Sequence, residues 1–241
     1  MKWQESYNVK FHDTNANEIV GASQILKFLQ ETAMCQMRAQ RPSYEELFNQ
    51  NKAFILSNIR IEIYSPIYAY DKIEAYTWAC KSRGYTAPRS YMIKKGEELL
   101  CEAHSNWALV SVNEKKLLRV NDEDFPNYYI DEPITLSNPV RIKIPSEVKM
   151  NLVSEYTVRY TDTDMNGHMN NTNYPDMFFN CIPNVGSKMM KSIALSFVSD
   201  AKVGDALKIY MTKIDGKYYL RSLHEDGRIN VEAEFIFENL E

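Results

Sequence analysis

The segment Tyr156-Thr-Val-Arg-Tyr-Thr-Asp-Thr-Asp-Met-Asn166 has an earlier copy in the same chain, Tyr7-Asn-Val-Lys-Phe-His-Asp-Thr-Asn-Ala-Asn17, 149 residues before it. Five of the eleven positions are identical, and three more are close substitutions. A second block agrees, because Ile59-Arg-Ile-Glu-Ile63 corresponds to Ile193-Ala-Leu-Ser-Phe197 at a separation of 134 residues. Two matches in the same order indicate that the chain arose by internal duplication.

Each copy opens with a segment in which apolar and polar residues alternate. The residues that share one face are Tyr7, Val9 and Phe11 in the first copy and Tyr156, Val158 and Tyr160 in the second. A period of two is that of a half-buried strand. The spacing therefore predicts a strand at the start of each copy, followed by a polar loop.

A helix follows the loop in each copy. The first copy has apolar residues at helical spacing, with Gly21 or Ser23 near the helix start. These residues are Ile25, Leu26, Leu29, Thr32 and Ala33. The second copy predicts a shorter helix from Tyr174 to Cys181, which Pro183 would end.

Strand patterns separated by turn signals fill the rest of each copy. The turns include Lys95-Gly96, Asp215-Gly216 and Asp226-Gly227, which are dipeptides typical of hairpins. The predicted strands are Asn58–Tyr64, Lys72–Lys81, Ala87–Lys94, Glu98–Val112 and Leu117–Val120, then Lys191–Ser199, Ala206–Ile214, Tyr218–Glu225 and Asn230–Phe237. A helix followed by four or five antiparallel strands, repeated, predicts an α+β fold in which each copy wraps a curved antiparallel sheet around a central helix.

The stretch between the copies, from Asn121 to Lys149, contains four prolines and has little periodicity. Such a composition is typical of a linker. We therefore predict an N-terminal domain over residues 1–133, a linker over 134–150 and a C-terminal domain over 151–241.

Composition and charge exclude several classes of protein. The net charge of −4 over 241 residues lacks the basic excess of a dedicated nucleic-acid binder. The four cysteines have no CxxC spacing, which indicates reduced thiols rather than a disulfide framework. No signal-peptide core is present, and no stretch approaches the ~20 apolar residues of a membrane span. We expect a cytoplasmic protein with no cofactor, no metal, no nucleic-acid partner and no membrane span.

One segment of the second copy is specific enough to indicate a family: Arg159-Tyr-Thr-Asp-Thr-Asp-Met-Asn-Gly-His-Met-Asn-Asn171. Supporting segments are Phe28-Leu-Gln-Glu-Thr-Ala33, Ile61-Glu-Ile-Tyr64, Thr77-Trp78, Ser105-Asn-Trp107 and Asn113. Through nearly its whole length the chain resembles the acyl-acyl-carrier-protein (acyl-ACP) thioesterases of plants and bacteria. The resemblance implies a double hotdog fold and the hydrolysis of fatty acyl chains from acyl carrier protein during fatty acid synthesis.

The resemblance also implies a set of catalytic residues. The catalytic Asp, Asn and His of the family fall on Asp164, Asn166 and His168. The family places a further acid after the next strand, usually Glu followed by Cys in plant members, and this chain has Asp200 and Ala201 there. Asp200 keeps the charge on a shorter side chain. A mechanism that needs a cysteine nucleophile at this place cannot operate here.

These residue types suit the hydrolysis of a thioester. Such a reaction needs a nucleophile or base, a proton donor and stabilisation of the developing oxyanion. Asp164 can activate water or attack the carbonyl carbon, and His168 can exchange protons at neutral pH. The Asn166 amide can hold either the carboxylate or the oxyanion. If the segment is extended, positions i, i+2 and i+4 project to one side and the three side chains converge.

The duplication supplies an internal control for this assignment. Asp164 corresponds to Asn15, Asn166 to Asn17 and His168 to Ile19, so the first copy lacks both titratable groups. We therefore expect one active site per chain, with the first copy contributing the acyl-binding cavity and contacts with the carrier protein.

Two simpler interpretations of the same segment compete with a catalytic one. Asp162-Thr-Asp-Met-Asn-Gly167 is also typical of a polar turn ahead of a helix, with Asp and Asn as caps. The first half of the segment also matches a calcium-binding EF-hand loop, but the twelfth position is Asn173 instead of Glu. Asp162 itself is expected to be structural, because Asp13 repeats it.

Two other functions remain open at this stage. One is a neighbouring hotdog enzyme, either an acyl-CoA thioesterase or an acyl dehydratase. The other is an acyl-binding or regulatory module without catalysis. Whether the tandem copies form a self-contained unit or pair again into a homodimer is also left open.

Overall fold

A computed structural model describes residues 1–239 of the chain. The helices are α1 (Ala22–Ala39), α2 (Tyr44–Asn49) and α3 (Tyr174–Phe179). The strands are β1 (Trp3–Asn8), β2 (Lys52–Ile63), β3 (Lys72–Ala79), β4 (Thr86–Lys95), β5 (Glu98–Ser111), β6 (Lys116–Leu118), β7 (Asn151–Thr157), β8 (Lys188–Phe197), β9 (Ala206–Ile214), β10 (Lys217–His224) and β11 (Ile229–Asn239). Within residues 1–239, no helix is long and apolar enough to cross a membrane.

All eleven strands belong to one sheet, and every pairing between named strands is antiparallel. The order is β1-β3-β4-β5-β2-β8-β11-β10-β9-β7, with β6 paired to β5. The strands of the first copy form one half of this order and those of the second copy form the other. The α+β arrangement predicted from the sequence is therefore confirmed, and the pairing of β2 with β8 joins the two halves.

The register of that pairing matches the sequence repeat. Arg60 pairs with Ala194, and these two residues also correspond to each other at the separation of 134 residues. Equivalent residues can face each other in an antiparallel pair only where a twofold axis passes between them. The β-bulges agree, because β2 skips Ser57 in its pairing with β5 and β8 skips Lys191 in its pairing with β11. The repeat is therefore present in the backbone as well as in the sequence.

Helix α1 lies against the sheet of the first half and contacts β3 and β1. Its buried residues recur every three or four positions, as expected for a helix with one face in the core. They are Ala22, Ser23, Ile25, Leu26, Phe28, Leu29, Thr32, Ala33 and Gln36. The helix begins after Gly21, as predicted, but it extends to Ala39. The helix of the second copy, α3, ends at Phe179, two residues before the predicted end.

The alternating segments were predicted too long. Tyr7 and Val9 do lie inward, but β1 ends at Asn8 and Phe11 is 68% exposed in a single 3-10 turn. The second copy repeats the pattern, since Tyr160 lies in a 3-10 turn and is 82% exposed. The alternation continues in the sequence past the point at which the strand pairing stops.

Helix α2 is absent from the sequence prediction, although a signal for it exists. The Ser43 side chain accepts a hydrogen bond from the Glu46 backbone N–H at 3.2 Å, and the Glu46 carboxylate accepts one from the Ser43 N–H at 2.7 Å. This reciprocal arrangement is a capping box, and the spacing Ser-x-x-Glu is the sequence pattern that predicts it.

The chain between the two copies lies along the sheet and is fixed there by buried charges. The Arg60 guanidinium donates to the Pro139 carbonyl at 2.6 Å and to the Glu234 carboxylate at 2.6 Å. The Glu62 carboxylate accepts the backbone N–H groups of Ser137 and Asn138, both at 3.0 Å. These contacts lie over the pairing of β2 with β8, which is the seam between the two halves of the sheet.

Arg60→Ala should lower the free energy of unfolding by about 3–5 kcal/mol, because it leaves the buried Glu234 carboxylate without its partner. Urea unfolding monitored by circular dichroism measures the change. Arg228→Ala is the matched control, since Arg228 pairs with Asp226 at 2.7 Å on the exposed surface and its loss should leave stability nearly unchanged. Equal effects of the two substitutions would contradict the role given to the seam.

Candidate functional site

The segment from Asp164 to His168 forms a tight turn. The Asp164 N–H donates to the His168 carbonyl at 2.9 Å, and the Gly167 N–H donates to the Asp164 carbonyl at 3.0 Å. Gly167 has a φ of +74°, a conformation that glycine adopts without strain. The extended arrangement with alternating side chains is therefore wrong, and the polar turn that the sequence also indicated is the conformation that forms. The turn brings residues 164 and 168 together through their backbones instead.

Within the turn, the carboxylate of Asp164 is held by Asn166. One oxygen accepts the Asn166 backbone N–H at 2.8 Å, and the other lies 3.4 Å from the Asn166 side-chain amide. Asp164 is partly buried, whereas Asn166 is exposed. Asn166 therefore orients this carboxylate, which is one of the two roles that the sequence left open for it.

Asp200, in the segment that follows β8, lies beside His168. The His168 Nε2 atom lies 2.9 Å from an Asp200 carboxylate oxygen, although the two residues are 32 positions apart. Backbone contacts hold the two segments side by side: His168 forms a bridge with Lys202, and the Met169 N–H donates to the Ala201 carbonyl at 2.8 Å. At this distance the Asp200 carboxylate can stabilise a protonated His168 ring.

The four sequence-predicted residues thus form two pairs, Asp164 with Asn166 and His168 with Asp200. Among the described residues, the two pairs are joined by the backbone hydrogen bond from Asp164 to His168 and by no hydrogen bond between their side chains. The side chains of His168 and Asp200 are 40% and 53% exposed, so water can reach both. An accessible imidazole with an oriented carboxylate partner can accept a proton from water, and a second carboxylate lies on the same turn.

Asp162 stabilises the turn through hydrogen bonds to the residues around it. Its carboxylate accepts the Tyr156 hydroxyl at 2.8 Å and the Arg159 backbone N–H at 2.7 Å, while its carbonyl accepts the side-chain amide of Asn173 at 2.9 Å. Burial and the neighbouring Asp162 carboxylate raise the pKa of Tyr156, so this hydroxyl stays protonated and keeps donating. These contacts agree with the structural role expected for Asp162.

The first copy has the same turn with different side chains. The Asn15 N–H donates to the Ile19 carbonyl at 2.9 Å, and the Asn15 side chain accepts the Asn17 N–H at 2.9 Å. Ile19 forms a bridge with Tyr68, as His168 does with Lys202. By the repeat, Pro66 stands where Asp200 stands in the second copy. The first copy therefore lacks all three titratable groups on an equivalent backbone.

Two cavities bear on where an acyl chain could enter. The larger, about 700 Å³, is an open hollow between the N-terminal residues 1–4 and residues 126–130. The smaller, about 30 Å³, is more enclosed and lies at the turn of the first copy. Its lining includes Asn15, Asn17, Ile19 and Pro66, together with Phe179, Met189 and Met190 from the second copy. Neither cavity is lined by Asp164, Asn166, His168 or Asp200, so the acyl cavity assigned to the first copy stays a prediction.

Comparison with known protein families matches both halves of the chain. The family model described as the acyl-ACP thioesterase N-terminal domain matches residues 1–128, and the model of the C-terminal domain matches residues 146–239. A chloroplastic palmitoyl-acyl carrier protein thioesterase from Cuphea hookeriana is 20% identical over 185 residues, covering 71% of this chain and 45% of that protein. A chloroplastic oleoyl-acyl carrier protein thioesterase from Arabidopsis thaliana is 25% identical, covering 84% and 60%. The chain spans about half the length of these plant relatives.

Solved structures show the same fold. An acyl-ACP thioesterase from Bacteroides thetaiotaomicron superposes with a TM-score of 0.89 at 21% identity, covering 98% of this chain and 97% of that chain. A 12:0-ACP thioesterase from Umbellularia californica gives 0.86 at 14% identity, covering 99% and 97%. The tandem hotdog arrangement expected from the sequence is thereby confirmed.

Asp162→Ala should lower the free energy of unfolding by about 1–2 kcal/mol, because the Tyr156 hydroxyl and the Arg159 N–H both lose their acceptor. Asp13→Ala is the matched change in the first copy, where Asp13 accepts the Lys10 N–H at 2.7 Å and no tyrosine hydroxyl. We expect a smaller loss from that variant. Thermal unfolding measures the stability of both variants. A larger loss in Asp13→Ala than in Asp162→Ala would contradict the stabilising role assigned to Asp162.

Proposed function

The chain belongs to the acyl-ACP thioesterase family, and on that premise we propose that it hydrolyses the thioester of fatty acyl-ACP and releases a free fatty acid. The observation that carries the proposal is the second-copy turn, which carries both Asp164 and His168 and whose His168 lies 2.9 Å from Asp200. The first copy keeps the backbone of this turn and none of its titratable side chains.

The proposed reaction is attack by water on the thioester carbonyl. His168 takes the proton of the water through Nδ1, while Asp200 holds the ring through Nε2 and balances the charge that develops on it. Asp164, fixed by Asn166, orients the attacking water. The carbon–sulfur bond then breaks, and the proton held by His168 passes to the leaving pantetheine thiolate.

The oxyanion needs hydrogen-bond donors during this step. The Asn166 side-chain amide contacts Asp164 only at 3.4 Å, so it can turn toward a substrate oxygen at little cost. Backbone N–H groups in a turn are also suitable donors. We therefore propose that the turn supplies the hydrogen-bond donors that stabilise the oxyanion.

We further propose a division of labour between the halves. The C-terminal half, residues 151–241, supplies the catalytic groups, while the N-terminal half, residues 1–133, binds the acyl chain. Helix α1 of the N-terminal half contacts helix α3 of the C-terminal half, since the Ser23 hydroxyl accepts the Asp176 N–H at 3.1 Å. The Tyr44 hydroxyl lies 3.9 Å from the Met165 sulfur, so the first half also reaches the catalytic turn. The acyl carrier protein as partner, the cytoplasmic location and a homodimer remain predictions.

Asp164→Asn should lower kcat on acyl-ACP by at least about a hundredfold, because it removes the charge that orients water without changing the size of the side chain. Asn15→Asp is the matched control, since it makes the reverse change on the equivalent turn. We expect that control to keep its activity, because Ile19 and Pro66 fill the other two positions there. Thioester cleavage followed by thiol release measures both variants. A fully active Asp164→Asn enzyme would remove Asp164 from the mechanism.

Acyl-ACP should be a better substrate than the matched acyl-CoA by at least about tenfold in kcat/KM, because the carrier protein adds contacts beyond the shared pantetheine arm. The assay compares both carriers with the same series of acyl chains, from short to long. Equal or faster turnover of acyl-CoA would favour an acyl-CoA thioesterase. Binding without turnover would favour an acyl-binding module.

A further inference from the structure

His224 lies between the two ends of the segment that carries Asp200. This segment runs from Ser199, after β8, to Asp205, before β9. The His224 Nε2 atom is 3.0 Å from the Ser199 hydroxyl, and Nδ1 is 3.9 Å from the Asp205 carboxylate. The imidazole is 8% exposed at the end of β10. One buried ring therefore contacts both ends of the loop.

The hydroxyl of Ser199 is committed to a single hydrogen-bonding pattern. It donates to the Ile229 carbonyl at 2.8 Å, so toward His224 it can only accept, and the ring must carry its proton on Nε2. The backbone of Ser199 is held as well, because the buried Asn230 side-chain amide donates to the Ser199 carbonyl at 2.6 Å. The residue immediately before Asp200 is therefore fixed by three neighbours, of which His224 is one.

The other end of the loop is closed by Asp205. Its carboxylate accepts the Lys202 N–H at 2.9 Å, and its own N–H donates to the Lys202 carbonyl at 3.0 Å. Lys202 is the residue that forms the backbone bridge with His168. Through Ser199, His224 is connected to Asp200, which is the next residue in the chain. Through Asp205 and Lys202, it is connected to His168.

The first copy shows what occupies this position where no catalysis is expected. The pairing of β4 with β5 and of β10 with β11 makes Lys95 the equivalent of His224, and Asp71 the equivalent of Asp205. The Lys95 ammonium group lies 2.5 Å from the Asp71 carboxylate. Both copies thus place a basic side chain against this aspartate. Only the imidazole also holds the serine at the start of the loop.

We propose that His224 is a positioning residue that sets the place of the Asp200 carboxylate relative to His168. The inference rests on the proposed function, because it assigns Asp200 a part in turnover. The contact with Ser199 requires only the proton on Nε2, so it does not depend on the charge of the ring. Loss of His224 frees the loop and lengthens the contact between Asp200 and His168. Misplacement of a catalytic group by about 1 Å can lower a rate by up to about a hundredfold.

His224→Ala should lower kcat by about tenfold to a hundredfold and leave KM within about twofold, because the loop orients the catalytic pair and not the acyl chain. His224→Gln should recover most of the activity, since its amide can donate to the Ser199 hydroxyl. Ser199→Ala removes the same hydrogen bond from the other side and should reproduce the loss if the His224 variants fold poorly. Lys95→Ala is the matched control and should keep the wild-type kcat.

A double-mutant cycle tests whether His224 acts through Asp200. Asp200→Asn combined with His224→Ala should be no slower than Asp200→Asn alone, because the loop then has no carboxylate to position. Additive losses, or a loss confined to KM, would overturn the proposal. A His224→Ala enzyme with the wild-type kcat would overturn it as well.

A measurement that does not depend on turnover separates this inference from the proposed function. The ring nitrogen resonances of His168, recorded by nuclear magnetic resonance, should shift in His224→Ala and stay in place in Lys95→Ala. If the wild-type protein hydrolyses no thioester, the proposed function fails while this readout still decides the positioning role. Unchanged His168 resonances in His224→Ala would overturn the positioning role.

Discussion

The pairing of β2 with β8 is the contact on which the other features of this molecule depend, because it turns two half-sheets into one. It places Arg60 opposite Ala194, at the twofold axis of the repeat. A guanidinium at this seam is buried on all sides, and it is stable there only because Glu234, Ser192 and the Pro139 carbonyl satisfy it. Ala194 leaves room for that long side chain. The two copies could not both carry arginine, since two buried positive charges would then face each other across the axis.

The same symmetry explains why one backbone can carry different sets of side chains in the two copies. Each copy keeps the turn, the strand bulges and the aspartate that closes the following loop. These features depend on backbone hydrogen bonds and short polar side chains, which set the shape of a turn. The proposed chemistry depends on three side chains, two on the turn and one on the segment after β8. Replacing them with Asn15, Ile19 and Pro66 removes the titratable groups without disturbing the fold.

The sequence predicted most of the elements and missed those that depend on packing. The start of α1 after Gly21 and the strand at Ala206–Ile214 were predicted correctly. Phe11 was placed on a buried face, yet it is exposed because the pairing of β1 with β3 ends at Asn8. Periodicity shows which side chains could share a face, but it does not show where a neighbouring strand stops. The short helix α2 was missed although Ser43 and Glu46 form its capping box.

For the site, the sequence by itself determined the residue types, the duplication and the expectation that only the second copy carries titratable groups. These conclusions follow from comparing two stretches of the same chain, which needs no coordinates. Only the tertiary structure decided that residues 164–168 form a turn and that Asp200 meets His168. It also decided that His224 contacts both ends of the loop bearing Asp200. Contacts between residues far apart in the chain depend on how strands pair and where loops close, and local sequence does not encode that geometry.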